Sequence, residues 1–210
     1  MKLYQSSSSP NSRRVRIFLA EKNIPVTIVP VDLGAKEQFS DAYRAINPRS
    51  VVPTLVLDDG TAIGEVTAIW RYLEEAHPGQ PLLGTTAKDK AQVTMWERRA
   101  EQEGFAVVME AVRNTVAGLK GRALAGPHAY EQIPELAERS KLRAQNFYAD
   151  FNEHLKTVPF VAGEQFSAAD ITALVTVDFA TGGLSMPIPA QHTALQAWYD
   201  KVAARASAKA

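Results

Sequence analysis

Cysteine is absent from this chain of 210 residues. Without it the protein can form no disulfide framework, no cysteine-based zinc site, no iron–sulfur cluster and no cysteine nucleophile. The four histidines are scattered along the chain and show no spacing typical of metal ligands. If the protein carries out sulfur chemistry, the thiol must therefore belong to a ligand.

The sequence also lacks long apolar runs and a net charge. No segment approaches the roughly 20 apolar residues that cross a membrane, and Met1 to Tyr4 lead into a strand pattern instead of a signal peptide. The 23 basic residues are balanced by 23 acidic ones, which argues against the basic surface of a nucleic-acid-binding protein. We expect a soluble, cytoplasmic protein that binds neither membranes nor nucleic acids and holds no metal.

The N-terminal part, residues 1–77, alternates between strand and helix patterns. The predicted order is β-α-β-α-β-β-α, which is typical of a small mixed sheet covered by helices. The elements are a strand from Lys2 to Gln5, a helix after Asn11 ended by Asn23-Ile24-Pro25, a strand from Val26 to Val31, a helix from Gly34 to Ile46, a hairpin from Thr54 to Ile63, and a helix from Glu65 to Glu75.

The strand signal disappears after a linker rich in proline and glycine, residues 78–86. Residues 87–210 show only helical patterns: Lys88 to Leu119, Glu131 to Lys156 with a start or kink at Pro134, a helix opened by the capping box Ser167 to Asp170, and Thr193 to Ala204. The predicted fold is therefore an α/β domain at 1–77 followed by an all-helical domain at 87–210.

A tract of small polar residues, Ser6 to Asn11, joins the first strand to the first helix. Serine at this place commonly caps a helix by accepting a backbone N–H bond. The N-terminus of a helix also favours negative charge nearby, so a serine hydroxyl here can donate to a bound anion. The tract alone leaves both interpretations open.

Two further segments carry possible binding groups. Val52-Pro53 precedes a strand, and a cis peptide bond there would expose the backbone N–H and C=O of Val52 to an extended peptide ligand. The alternative is an ordinary trans proline at the start of an edge strand. Glu65 and Val66 begin a helix, where Glu65 either caps N–H groups or receives the ammonium group of a ligand whose carboxylate binds the N–H of Val66.

Taken together, these segments resemble the glutathione transferase family over nearly the whole chain. The matching motifs are Leu3-Tyr4, Ser9-Pro10-Asn11-Ser12-Arg13-Arg14-Val15-Arg16, Ala20-Glu21-Lys22-Asn23-Ile24, Asn47-Pro48, Val52-Pro53-Thr54-Leu55, Asp59-Gly60, Glu65 with Thr67-Ala68-Ile69, and Phe166-Ser167-Ala168-Ala169-Asp170-Ile171. The resemblance implies a thioredoxin-like glutathione-binding domain, an all-helical domain, a small hydrophobic electrophile as second substrate, a role in detoxification, and a homodimer. Glutathione then supplies the thiol that the chain lacks.

The resemblance also implies that a hydroxyl group ionises the thiol of glutathione. In the serine-type classes this hydroxyl comes from the loop before the first helix. Counting back from Arg14-Val15 places it on Ser9, whereas counting from Pro10 as in some relatives places it on Ser8. We favour Ser9 as the catalytic residue. Tyr4 is a further candidate, although a strand tyrosine at that place more commonly packs on a neighbouring helix.

The glutathione-binding residues implied by the family are Ser9, Gln38, Val52, Pro53, Glu65 and Val66. Relatives usually have serine where this chain has Val66, and several have glutamine or lysine at Val51. Arg13, Arg14 and Arg16 are close to the proposed anion site, but a solvated helix face is the expected place for them. Two alternatives remain: a non-catalytic binding protein on the same fold, and a glutathione-dependent isomerase, dehalogenase or peroxidase.

Overall fold

The computed structural model describes residues 1–210 and divides the chain into two compact units. The first contains Met1–Gln80, the short segment Ala125–His128 and Ala210; the second contains Pro81–Leu124 and Ala129–Lys209. The segment 125–128 differs from the predicted division, because Gly126 lies against the backbone of Arg49: a Cβ there would be 3.9 Å from the Arg49 carbonyl oxygen. No helix is long and apolar enough to span a bilayer.

The N-terminal unit has the predicted order β-α-β-α-β-β-α. Its elements are β1 (Lys2–Gln5), α1 (Pro10–Glu21), β2 (Thr27–Pro30), α2 (Asp41–Ile46), β3 (Thr54–Val56), β4 (Ala62–Ile63) and α3 (Val66–Ala76). The sheet order is β2-β1-β3-β4, with β1 parallel to β2 and antiparallel to β3, and β3 antiparallel to β4. This arrangement confirms the fold predicted for the N-terminal half.

The core of this unit lies where α1 and α3 cover the sheet. Leu3, Phe18, Leu55, Ile69 and Leu73 are inaccessible to solvent, which is the expected position for the apolar residues of these strands and amphipathic helices.

The helix predicted from Gly34 to Ile46 is interrupted, and this part of the prediction was wrong. A 3₁₀ turn over Glu37–Phe39 precedes α2, and Ser40 between them is extended, with φ −66° and ψ 152°. The Oγ of Ser40 accepts the backbone N–H of Tyr43 at 3.2 Å. Ser40 therefore caps α2, because a serine oxygen satisfies an N–H group that would otherwise have no partner.

The C-terminal unit is entirely helical, as predicted. Its elements are α4 (Ala87–Arg99), a π-helical segment (Ala100–Phe105), α5 (Ala106–Thr115), a 3₁₀ turn (Ala117–Leu119), α6 (Pro134–Leu155), α7 (Ala168–Leu184), α8 (Thr193–Ala203) and a final 3₁₀ turn (Ala206–Lys209).

The long helix predicted from Lys88 to Leu119 thus contains an extra-wide turn and ends at Thr115. Within that turn, a Cβ on Gly104 would be 2.7 Å from the ring of Phe147 on α6. The absence of a side chain on Gly104 therefore lets α6 approach the backbone directly.

Candidate active site

The register of the sheet brings the segments with predicted binding groups to one edge. Tyr4 of β1 lies opposite Thr54 of β3, and Leu55 of β3 lies opposite Ile63 of β4. Because paired strands are about 4.8 Å apart, the residues just beyond these pairs are neighbours. The Ser6–Ser9 loop follows the end of β1, Val52-Pro53 precedes the start of β3, and Glu65 follows the end of β4. All three segments therefore lie at this edge of the N-terminal unit.

Ser9 is the N-cap of α1, with Pro10 as the first helical residue. Its Oγ accepts the backbone N–H of Ser12 at 3.2 Å, and the residue is only 7% exposed. A hydroxyl has one hydrogen to donate besides the lone pairs that accept, and no protein group takes the hydrogen of Ser9. The first turn of α1 contains no acidic residue. Ser9 therefore combines a capping role with a free donor at a positive helix end.

Ser8 differs from Ser9 in both exposure and bonding. Its side chain is exposed, and its Oγ lies 3.2 Å from the Oγ of Ser6. Arg16 stabilises the Ser6–Ser9 loop through two hydrogen bonds: it donates to the Gln5 side-chain oxygen at 2.6 Å and to the Ser6 carbonyl oxygen at 3.4 Å. From the sequence we expected Arg16 on a solvated helix face, and its hydrogen bonds to this loop were not predicted.

Arg14 was also expected on a solvated helix face, but the structure buries it completely. Its guanidinium carbon lies 5.1 Å from the centre of the Trp70 ring, and its Nη1 donates to the Asn11 side-chain oxygen at 3.2 Å. A planar guanidinium stacks favourably on an aromatic face, so it can be buried where a lysine could not. The apolar stripe of α1 contained no signal for this packing.

Tyr4 packs as a structural residue. Its ring meets the ring of Tyr43 on α2 edge-on, with centroids 6.3 Å apart. Both rings belong to a small apolar cluster with Val31, Leu33 and Val52. The helix-packing interpretation of Tyr4 is the one that the structure supports.

The Val52–Pro53 peptide bond is cis, as one of the two sequence interpretations held. The strand β3 starts only at Thr54, so the backbone N–H and C=O of Val52 lie outside the ladder of the sheet. The Val52 side chain is buried in the cluster with Tyr43. Its backbone groups are thus anchored in place while making no bond within the sheet.

A hydrogen-bonded network that sequence analysis missed lies behind this segment. The Tyr43 hydroxyl donates to the Val51 carbonyl oxygen at 2.6 Å, and the Asn47 amide nitrogen donates to the same oxygen at 3.0 Å and to Thr54 Oγ1 at 2.8 Å. Burial raises the pKa of the Tyr43 hydroxyl above its ordinary value, so it remains a donor at neutral pH. The only signal in the sequence was that Asn47 and Thr54 flank the proline turn.

Glu65 precedes α3 in an unusual backbone conformation, with φ 62° and ψ 130°. Positive φ is costly for a residue with a side chain and is found mainly where function requires it. The Glu65 side chain is exposed and makes no capping bond, so the capping interpretation was wrong. The buried Val66 is the first residue of α3, whose first N–H groups have no partner within the helix.

Gln38 and Ser50, in the segments on either side of α2, are buried polar residues with unsatisfied side-chain atoms. Gln38 lies in the 3₁₀ turn before α2, and its Oε1 has no hydrogen-bond partner. Ser50 has φ 55°, and its buried Oγ also has none. Buried polar atoms of native proteins are normally paired, so both atoms lack the partner expected of them; the Gln38 Oε1 can only accept a hydrogen bond, whereas the Ser50 hydroxyl can also donate one. Only Gln38 was among the predicted binding residues.

Comparison with known proteins identifies the family. The model named "Glutathione S-transferase, N-terminal domain" matches residues 3–81, and the model named "Glutathione S-transferase, C-terminal domain" matches residues 134–201. Glutathione S-transferase 2 of Saccharomyces cerevisiae is 34% identical over 212 aligned residues, covering 100% of this chain and 88% of that protein. The chain belongs to the glutathione transferase family.

Two other matches add detail. The crystal structure of a glutathione S-transferase domain-containing protein from Marinobacter aquaeolei is 37% identical, covers 99% of both chains and superposes with a TM-score of 0.91. A maleylacetoacetate isomerase of Rattus norvegicus is 42% identical over 95 residues, which is 44% of this chain and 44% of that protein. The first match confirms the predicted two-part fold over the full length.

Proposed function

We propose that this glutathione transferase activates the thiol of glutathione through the hydroxyl of Ser9 and adds the resulting thiolate to a small hydrophobic electrophile. The observation that supports this assignment is the geometry of Ser9. Its oxygen is fixed by the Ser12 N–H, and its hydrogen is free. It lies at the start of a 12-residue helix. A thiolate at this place would accept that hydrogen.

The energy required matches what these groups can provide. A free thiol has a pKa near 8.5, so only a few per cent is ionised at neutral pH. Lowering the pKa by about two units requires ~2.7 kcal/mol of preferential binding to the thiolate. A hydrogen bond to a charged group contributes about 1.5–3 kcal/mol, and a helix N-terminus adds about 0.3–1 kcal/mol. One hydroxyl and one helix end are therefore sufficient.

The rest of glutathione would bind along the same edge of the sheet. Glu65 would bind the ammonium group of the γ-glutamyl end, and the N–H of Val66 would bind its carboxylate. The backbone of Val52, beside the cis Pro53, would pair with the cysteinyl unit. The amide nitrogen of Gln38 would donate to the glycyl carboxylate. Two observations on Glu65 support this arrangement: its side chain makes no capping bond to α3, and its backbone has a strained conformation of the kind that clusters at functional sites.

The experiment is a titration of thiolate absorbance in the glutathione complex. In Ser9→Ala we expect the thiol pKa to rise by about one to two units, the value of one charge-assisted hydrogen bond. Ser8→Ala is the matched control, because it removes a neighbouring hydroxyl that is exposed and paired with Ser6, and it should leave the titration unchanged. An unchanged titration in Ser9→Ala would remove Ser9 from the mechanism.

His128 sharpens this test. It belongs to the segment 125–128, which lies within the N-terminal unit. His128→Ala asks whether an imidazole of this segment ionises the thiol in place of a hydroxyl. If His128→Ala raises the thiol pKa and Ser9→Ala does not, the assignment to Ser9 is wrong. Calorimetry with glutathione on each variant separates lost activation from lost binding.

A second candidate activity is a glutathione-dependent cis–trans isomerisation. The similarity to the maleylacetoacetate isomerase supports it, since its identity over 95 residues is the higher of the two curated matches described. In such a reaction the thiolate would add to a double bond, allow rotation and leave again, so glutathione would be regenerated. Assays with maleylacetoacetate and catalytic amounts of glutathione test it. Consumption of one glutathione per turnover would contradict isomerisation and support conjugation.

We also propose that the enzyme acts as a homodimer, as the resemblance to its family implies. Analytical ultracentrifugation at micromolar concentration tests this assembly. A single species with the 22.9 kDa mass of one chain would contradict it.

A further inference from the structure

We propose that Tyr43, Asn47 and Thr54 are positioning residues that hold the Val51–Val52 peptide plane in the orientation needed to pair with glutathione. This inference rests on the proposed binding of glutathione along Val52. It concerns residues that do not themselves touch the ligand.

The hydrogen positions within the network follow from which of its atoms can donate. The Tyr43 hydroxyl lies 2.6 Å from the Val51 carbonyl oxygen, which can only accept, so Tyr43 is the donor there. Thr54 Oγ1 lies 3.1 Å from the Tyr43 oxygen and 3.5 Å from the Val51 carbonyl oxygen, and it can donate its one hydrogen to either. Thr54 Oγ1 also accepts from the Asn47 amide nitrogen at 2.8 Å. All three side chains have hydrogen-bond partners within the network, and each is buried.

These side chains fix the direction of the Val51 carbonyl bond. The Val51 carbonyl oxygen accepts hydrogen bonds from Tyr43 at 2.6 Å and from Asn47 at 3.0 Å, and it also lies 3.5 Å from Thr54 Oγ1. Asn47 is itself fixed within the turn, because its side-chain oxygen accepts the N–H of Arg49 at 2.9 Å and its carbonyl oxygen accepts the N–H of Ser50 at 3.0 Å. The direction of the Val51 carbonyl bond is therefore set from two sides.

The planarity of the peptide unit couples the direction of the Val52 N–H to that of the Val51 carbonyl. The Val51–Val52 bond is trans, and in a trans unit the C=O and N–H bonds point in opposite directions. A Val51 carbonyl held towards Tyr43 and Asn47 directs the N–H of Val52 away from them. That N–H has no partner in the sheet, since β3 begins at Thr54. The network thus aims one unpaired backbone donor at the glutathione-binding edge.

The test compares two tyrosine-to-phenylalanine variants. In Tyr43→Phe we expect KM for glutathione to rise about fivefold to tenfold, the net value of one hydrogen bond, with kcat within twofold of the wild type. Tyr148→Phe is the matched control, because Tyr148 is a buried tyrosine of the C-terminal unit that donates to the Met186 carbonyl oxygen at 2.8 Å. It loses an equivalent bond and should keep its KM for glutathione.

Thr54 provides a second pair of variants. Thr54→Val keeps the shape of the side chain and removes its hydroxyl, so it should raise KM for glutathione, whereas Thr54→Ser should restore it. An increase in Thr54→Ser equal to that in Thr54→Val would contradict the network, because the variant that keeps the hydroxyl would then behave like the one that lacks it.

A measurement without ligand separates this inference from the proposed function. The backbone order parameter of the Val52 N–H, from NMR relaxation, should fall in Tyr43→Phe and not in Tyr148→Phe. If Val52 remains equally ordered and KM for glutathione is unchanged, the positioning role is wrong. If Val52 loses order but the wild type binds no glutathione, the proposed glutathione site is wrong, while the control of this peptide plane by Tyr43 holds.

Discussion

Two helices of this protein, α1 and α7, begin with serine caps that look alike in the sequence. The hydrogen bonding at their N-termini nevertheless differs. Ser9 caps α1 and Ser167 caps α7, and in each case the serine oxygen accepts a backbone N–H of the first turn. The third helical residue differs: it is Ser12 in α1 and Asp170 in α7. This one position determines whether the helix end is closed by the protein itself.

The end of α7 is closed by its own anion. The buried Asp170 carboxylate accepts the N–H groups of Ser167 and Val161, each at 2.9 Å, and the Trp198 indole N–H at 2.8 Å. The Ser167 hydroxyl also donates to it, at 3.2 Å. No donor is left for a ligand. At α1 the corresponding hydroxyl of Ser9 keeps its hydrogen, so an anion from outside can bind. The same cap is structural in α7, and in α1 it carries the hydroxyl to which we have proposed a catalytic role.

The largest effect that tests this comparison is the loss of the internal anion. Asp170→Ala should lower the free energy of unfolding by about 3–5 kcal/mol, because several buried donors lose their acceptor. Urea unfolding measures it. Asp89→Ala is the matched control, since Asp89 completes the capping box of α4 at the protein surface, and its effect should be much smaller. Equal effects would show that burial of the box is irrelevant.

The pH dependence of stability gives the next largest effect. Burial raises the pKa of Asp170 to about 6 despite its hydrogen bonds, whereas the unfolded chain has a value near 3.9. The folded state therefore holds the proton over this interval. The contribution of Asp170 is fully present below about pH 4 and falls by about 3 kcal/mol as the pH rises through 6. The difference in unfolding free energy between wild type and Asp170→Asn should follow this course, and a parallel pH profile would contradict it.

A smaller effect is expected when α1 is given the acidic residue that α7 has. Ser12→Asp places a carboxylate at the third position of α1, where it would satisfy the open helix end. We expect the thiol pKa of bound glutathione to rise by about one unit, since a negative charge nearby disfavours the thiolate. Ser12→Asn is the uncharged control. A thiol pKa that is equal in both variants would show that the charge at this helix end does not matter.

The smallest effect concerns α3, which begins at the same edge of the sheet as α1. Glu65→Gly should raise the free energy of unfolding by about 1 kcal/mol, because glycine adopts positive φ without strain. It should also raise KM for glutathione, since the carboxylate is lost. Glu65→Gln keeps a side chain on the strained backbone and should raise KM for glutathione without the gain in stability. If Glu65→Gly lowers stability, the backbone of Glu65 is not strained in the sense argued.

Much of this site could be predicted from local sequence because its groups depend on short motifs. Ser9 before Pro10 predicts a helix cap, and Val52-Pro53 predicts a possible cis bond, because each depends on neighbouring residues in the chain. The order of strands and helices also followed from local periodicity. The assignment of catalysis to Ser9 instead of Ser8 remains a prediction, although the two differ clearly in burial.

Other features depend on partners distant in the chain and could not be predicted. Arg14 is buried because the Trp70 ring of α3 covers it, and nothing in α1 indicates that ring. Tyr43 was not singled out in the sequence, yet its hydroxyl donates to the Val51 carbonyl oxygen. Gly34 to Ile46 was predicted as one helix, and the cap at Ser40 that separates the 3₁₀ turn from α2 was not predicted.

The sequence by itself determined the two-part fold, the family, and the absence of any protein thiol, so the sulfur in the reaction must come from glutathione. These properties depend on composition and on patterns within short segments. Only the tertiary structure decided which polar groups are satisfied internally and which remain free. Ser167 and Ser9 have the same chemistry, but the long-range partners Val161 and Trp198 help close one site, while the register of the sheet brings the other to the edge shared with Val52 and Glu65.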